Sequence, residues 1–219
     1  VGAASWPALG VDARGQISGS SAALAMKELK GNFGGAQGSL SGEWVFEPPH
    51  ENSQIQLEAN GPDLSAVLGP WLEHEIPADP FKVSLDADFP DGGLRVRQLE
   101  ASLGANHLSG QIVVDQWEDP NNGHGILTLH GASSTSLAQA LGYDLVMPDT
   151  DYELNVVVER SAGWLGLNPV VLKLGKSDYA GRVDVQFADI PVINVDLHSK
   201  YISLPFLLPD VGELETQQA

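Results

Sequence analysis

The chain has 219 residues, with 11 Lys and Arg against 29 Asp and Glu for a formal charge of −18, and it contains no cysteine. The missing thiols remove disulfides, thiolate metal sites and thiol nucleophiles together, and leave the redox compartment open. A field of this sign repels phosphate backbones and anionic lipid surfaces, which argues against charge-driven nucleic-acid binding and reads as a well-solvated acidic surface.

Nothing in the sequence approaches the ~20 consecutive apolar residues that span a bilayer as a helix. No basic segment followed by an apolar one opens the chain at Val1, so it reads as a segment of a longer protein whose anchor or signal lies elsewhere.

Residues 8–17 alternate weakly and are interrupted by Gly15, Gly19, Ser20 and Ser21. Residues 22–33, with Leu24, Met26 and Leu29, fit a bulged strand or a short helix; their place in the repeat described below favours the strand. Gly34 and Gly35 then turn the chain into Leu40, Gly42, Trp44 and Phe46, an alternating run closed by Pro48 and Pro49. Ile55, Leu57 and Ala59 begin another strand. Gly61-Pro62-Asp63 predicts a helix start, because Asp63 can accept from free first-turn amides. Leu64, Val67, Leu68, Trp71 and Leu72 follow as one helical stripe. Ile76-Pro77 leads into Phe81, Val83, Leu85, Ala87 and Phe89, strict period-two alternation ended by Pro90-Asp91-Gly92-Gly93.

The next stretch organises the rest. LEASLGANHLSGQIVV at 99–114 returns as VVLKLGKSDYAGRVDV at 170–185, an offset of 71 (170 − 99) that pairs Gly104 with Gly175 and Gly110 with Gly181. Each copy predicts two strands joined by a tight glycine turn. Gly42 matches Gly110 at an offset of 68 (110 − 42), which makes 36–46 a degenerate first copy with Ala36 where a glycine is expected. The helix returns as SLAQALG at 136–142 and, faintly, as SLPFLLP at 203–209. Met147-Pro148, followed by Tyr152, Leu154, Val156 and Val158, repeats the strand after Pro77. Each unit reads as strand, turn, strand, glycine turn, strand, loop, strand, short helix. Three units are expected: 1–75, degenerate; 76–146; and 147–219, incomplete.

Clean alternation favours antiparallel strands with one apolar and one solvated face over a buried parallel sheet. The expected fold is mainly β, a curved, open, groove-like sheet with short helices at one rim. Arg95, Arg97, Asp184 and Gln186 fall on the outward phase.

Chemistry is sparse. The histidines at 50, 74, 107, 124, 130 and 198 lack the spacing of a metal site. Asp86-Ala87-Asp88-Phe89-Pro90-Asp91-Gly92 resembles a calcium loop, but the ligand order is wrong and a proline interrupts it, so a hairpin turn is the reading. No serine elbow or phosphate-cradling loop is present. No enzyme, metal or cofactor is expected. What remains is the apolar phase: Phe81, Val83, Leu85, Leu103, Ile112, Val114, Leu127, Leu129, Leu154, Val156, Val158, Val183, Val185 and Phe187. These residues either form a core against a second layer, as alternating strands usually do, or floor an open groove that meets lipid.

GPDLSAVLGPWL, IPADPFKVSLDADF and LEASLGANHLSGQIVVD, with LGKSDYAGRVDVQFADIPVINVDLHSKYISLPFLLPD near the end, resemble the AsmA-like family of bacterial envelope proteins. The likeness is strongest over 61–210 and weak before Ala36, and the last strand pair carries Tyr179-Ala180 where Leu-Ser is usual. The resemblance implies a periplasmic, inner-membrane-anchored protein of a Gram-negative bacterium. It also implies a taco-shaped β-groove along which phospholipid moves for outer-membrane biogenesis. Phospholipid or another acyl-chain ligand, the two membranes and envelope proteins are the implied partners. The other reading is a structural or assembly module acting through exposed sheet edges.

Overall fold

A computed structural model describes residues 11–47, 50–69, 78–116, 120–140, 142–143, 149–188 and 190–203. They form one sheet of twelve strands in strictly sequential order. The strands are β1 (Val11–Gly19), β2 (Ala23–Phe33), β3 (Ala36–Val45), β4 (Gln54–Gly61), β5 (Phe81–Asp88), β6 (Leu94–Leu103), β7 (Asn106–Val114), β8 (Gly123–Gly131), β9 (Tyr152–Ser161), β10 (Trp164–Leu174), β11 (Ser177–Gln186) and β12 (Val192–His198). Every neighbouring pair is antiparallel. Helix α1 (Ser65–Leu68) follows β4 and helix α2 (Ser134–Ala140) follows β8. The sheet is open, with β1 and β12 as its edges. Residues 22–33, which fitted strand or helix, are a strand with a bulge.

The four-strand rhythm has a local cause. Gly34, Gly104 and Gly175 open the β2–β3, β6–β7 and β10–β11 turns at φ of 57°, 56° and 56°. That conformation costs a Cβ-bearing residue about 1–2 kcal/mol. The second strand of each group is then bulged. Pairing slips between Met26 and Leu29, between Val96 and Leu99, and between Leu167 and Val170, so two residues face one of the next strand. Bulges bend a strand and increase its twist, and repeating one every four strands curls the sheet.

The same register corrects the reading of the first copy. Ser41, Gln111 and Arg182 face the three bulges, at offsets of 70 (111 − 41) and 71 (182 − 111). Leu40 therefore stands where Gly110 and Gly181 stand, and Gly42 occupies the place of Ile112 and Val183. The turn glycine is Gly34, not a residue replaced by Ala36.

Register also fixes the faces, since paired residues project to the same side and chain neighbours to opposite sides. One row runs Leu29, Leu40, Leu57, Leu85, Leu99, Gly110, Leu127, Val156, Val170, Gly181, Leu197, crossing β2 to β12 without a polar side chain. The opposite face carries Asn32, Gln37, Asn60, Lys82, Ser102, His107, His130, Glu153, Lys173, Asp178 across β2 to β11. Val170 on the first face is 7% exposed, and its neighbour Val171 on the second is 40% exposed. All the described strands belong to one sheet, so the difference follows from curvature: side chains on a concave face converge and shield one another.

The helix expectation is met in part. Asp63 Oδ1 accepts from the Ser65 amide at 2.8 Å, the Ala66 amide at 3.3 Å and the Ser65 hydroxyl at 2.6 Å, opening α1 as predicted. Trp71 and Leu72 of the predicted stripe, Pro48 and Pro49, Ile76-Pro77, Met147-Pro148 and all but Ser203 of the third helical echo lie outside the described residues.

Candidate functional site

All fourteen sequence-predicted groove residues project to the apolar face. Thirteen are fixed there by register. Phe187 continues the phase of Val183 and Val185 one residue beyond β11, with the Arg160 guanidinium 5.7 Å from its ring centroid. Of these residues Val156 alone is buried, at 8% exposure; Phe187 is 48% exposed and the other twelve are half-buried. A face packed under a second layer would bury such side chains almost completely. The face is therefore open over most of its length.

Sequence reasoning missed part of it. Leu99, Leu108, Val170, Leu172 and Leu174 share the face, as do Ile193, Val195 and Leu197 of β12. The bulge hid the middle group: alternation through Leu165 and Leu167 resumes at Val170 with the opposite parity, because Asn168 and Pro169 together face a single residue of each neighbouring strand. That parity change is readable in LGLNPVVLKL.

The two ends of the groove differ. At one, Trp44 meets the ring of Phe89 edge-on at 5.1 Å, beside buried Ser53, whose Oγ accepts from the Val45 amide at 2.9 Å. At the other, the helices sit over the apolar face. Between them lies a cavity of about 390 Å³, walled by Leu64, just before α1, by Leu68 from α1, and by Leu137 and Ala140 from α2. Strands β5 to β8 floor it through Phe81, Val83, Ala101, Leu103, Leu108 and Leu129. A buried polar knot closes its α2 side. Asn106 Nδ2 donates to the Leu103 carbonyl at 3.2 Å and to Ser136 Oγ at 3.4 Å, while its Oδ1 accepts from the Tyr152 hydroxyl at 2.8 Å. Burial pushes the Tyr152 hydroxyl pKa up, so it stays protonated and donating.

Carboxylates anchor the rim. Asp149 Oδ1 accepts from the Ser133 hydroxyl at 2.8 Å and the Thr135 amide at 3.1 Å, fastening the start of α2. Asp178 accepts from the amides of Tyr201 and Lys200 at 2.7 and 3.1 Å and from the Ser199 hydroxyl at 3.2 Å. The Ser65, Ser133 and Tyr201 donors, first among their partners, hold Asp63, Asp149 and Asp178 respectively below the usual carboxylate range.

On the polar face, Arg97 ion-pairs with Asp86 and lies 3.6 Å from Asp88, so two carboxylates of the calcium-like stretch serve a cross-strand ion pair. Asp91 and Gly92 form the expected turn, with the Gly93 amide 2.8 Å from the Pro90 carbonyl. His107 and His130, far apart in sequence, stack across β7 and β8 at 5.0 Å. Among the described residues no group of three metal-ligating side chains converges, and no helix is long and apolar enough to cross a membrane. Comparison of the chain with protein-family models, curated proteins and solved structures finds no match.

Proposed function

We propose that this chain is a non-enzymatic lipid-binding segment that moves phospholipid along its apolar groove. In this reading it belongs to a periplasmic AsmA-like protein, anchored in the inner membrane of a Gram-negative bacterium through a part outside these residues, and serves outer-membrane biogenesis. The carrying observation is the apolar row across eleven consecutive strands, β2 to β12, left uncovered over most of its length, with a polar row crossing β2 to β11 on the opposite face.

The mechanism is passive. Acyl chains lie on the concave floor while headgroups stay in water at the open slot. Each methylene removed from water contributes about 0.8 kcal/mol, enough to make a shielded path preferable to free diffusion. An eight-residue strand such as β5 is ~27 Å long, more than the ~15 Å of hydrocarbon in one leaflet. The row from Leu29 to Leu197 offers an acyl chain no charged side chain along its course.

Purified protein extracted for lipid and assayed for passage of labelled phospholipid between vesicles tests this directly. Co-extracted phospholipid with accelerated transfer is expected; neither being seen overturns it.

One observation favours a second reading. β12 is a sheet edge whose Ile193 and Val195 are 62% and 59% exposed, a template for strand addition by an envelope protein. That module would give a lipid-free complex with a protein partner.

A further inference from the structure

We propose that the cavity between α1 and α2 is a discrete site for one acyl chain, a station along the groove and not merely a stretch of its floor. The inference rests on the groove reading above and adds a stoichiometry and a place.

Size limits the occupant. A dry cavity of about 150 Å³ accepts one benzene, roughly 25 Å³ per carbon. At that density the 390 Å³ here holds a single chain of about 16 carbons. The two tails of a phospholipid need about twice the space, so the second tail stays on the open floor. Spacing agrees: the helices follow β4 and β8, four strand intervals apart, or about 19 Å along the sheet. Subtracting a helix diameter of about 10–12 Å leaves a slot about 8 Å wide.

Chemistry limits it further. Leu68 and Leu137 face the slot from the two helices, above Val83, Leu103 and Leu108. Asn106 is the buried polar side chain at the wall, and its amide and carbonyl groups are taken up by Leu103, Ser136 and Tyr152. A ligand needing a hydrogen bond at depth finds no partner there and loses affinity for it. A saturated hydrocarbon chain meets no such penalty. Its polar end, whether the carboxylate of a free fatty acid or the headgroup of a phospholipid, must face water at the mouth.

The test uses the 219-residue chain with palmitate as the single-chain probe and vesicles of zwitterionic dioleoylphosphatidylcholine, which the acidic chain does not repel, as the two-chain source, read by native mass spectrometry and calorimetry. One palmitate per chain is expected. Leu108→Trp, which fills the slot, should weaken palmitate binding by more than about tenfold. Ala101→Leu, a smaller filler, should act in the same direction and serves if the tryptophan variant does not fold. Val183→Asp, outside the slot, should leave palmitate affinity unchanged while reducing phospholipid extraction. Two or more palmitates at equal affinity, or binding indifferent to both fillers, overturns the station and leaves the groove standing. Palmitate binding lost in the fillers, with no phospholipid taken from vesicles by the wild type, keeps the station and overturns the groove. Binding of neither ligand overturns both.

Discussion

Gly181 shows how closely single residues set the curvature. Its φ is 153°, and a Cβ placed there would run into the Asp196 carbonyl of the adjacent strand, which cannot retreat without breaking the β11–β12 ladder. Gly181→Ala should lose about 1–3 kcal/mol, read as a lower urea midpoint. Gly69, just after α1, has φ −48° and open space where a Cβ would be. Gly69→Ala should be neutral or stabilising by up to about 1 kcal/mol. Equal effects at the two sites would remove close approach as the reason for glycine at 181. Gly110 and Gly181 stood out in the sequence because they recur 71 residues apart, but recurrence alone misplaced Gly42. Only the bulge, invisible as a residue type, distinguishes a glycine facing Met26 from one facing Leu99 or Val170.

Strands were legible because period-two alternation is imposed by burial on one face, and that face is the strongest constraint on this chain. The helices were legible at their starts and not in their extent. A start depends on one acceptor, such as Asp63, whereas length depends on what the stripe packs against. For α2 the acceptors are Ser133, whose Oγ takes the Ser136 amide at 3.0 Å, and Asp149, which comes later in sequence and could not be paired with Ser133 by reading forward. Asp149→Ala should speed amide exchange in α2 and leave β10 and β11 protected. The pH dependence follows from the same bonds. They hold the Asp149 carboxyl below its usual range, so folding favours the ionised form. That contribution is complete above the ordinary carboxylate range and is lost as pH falls through the depressed folded value. Protection of α2 amides in the wild type, taken relative to the intrinsic exchange rate at each pH, should therefore fall on acidification before that of the central strands, and Asp149→Ala should remove this acid step. An α2 equally protected in both proteins at every pH would deny the carboxylate its anchoring role.

At the scale of the whole molecule, the sheet offers paired experiments that separate a groove from a core. Val183 and Val171 are both valines in strand interiors, on β11 and β10, but they project to opposite faces. Val171 is 40% exposed, paired with Asn155 and Ala180 on the solvated face, so Val171→Asp should change stability within about 0.5 kcal/mol and leave lipid content unchanged. Val183 is half-buried on the apolar face, paired with Leu167 and Val195. If that face is wet in the free protein, Val183→Asp keeps its carboxylate hydrated and the fold survives. The cost appears when an acyl chain arrives, because the carboxylate must then shed water against methylenes with no partner to offset the loss. Lipid recovered with Val183→Asp should fall by about tenfold or more, while its thermal midpoint stays within a few degrees of the wild type. Cooperative unfolding of Val183→Asp under conditions where Val171→Asp is intact would mean that the face is covered by protein. The charge would then be buried in the folded state, and the lipid reading would have to give way to a packing one.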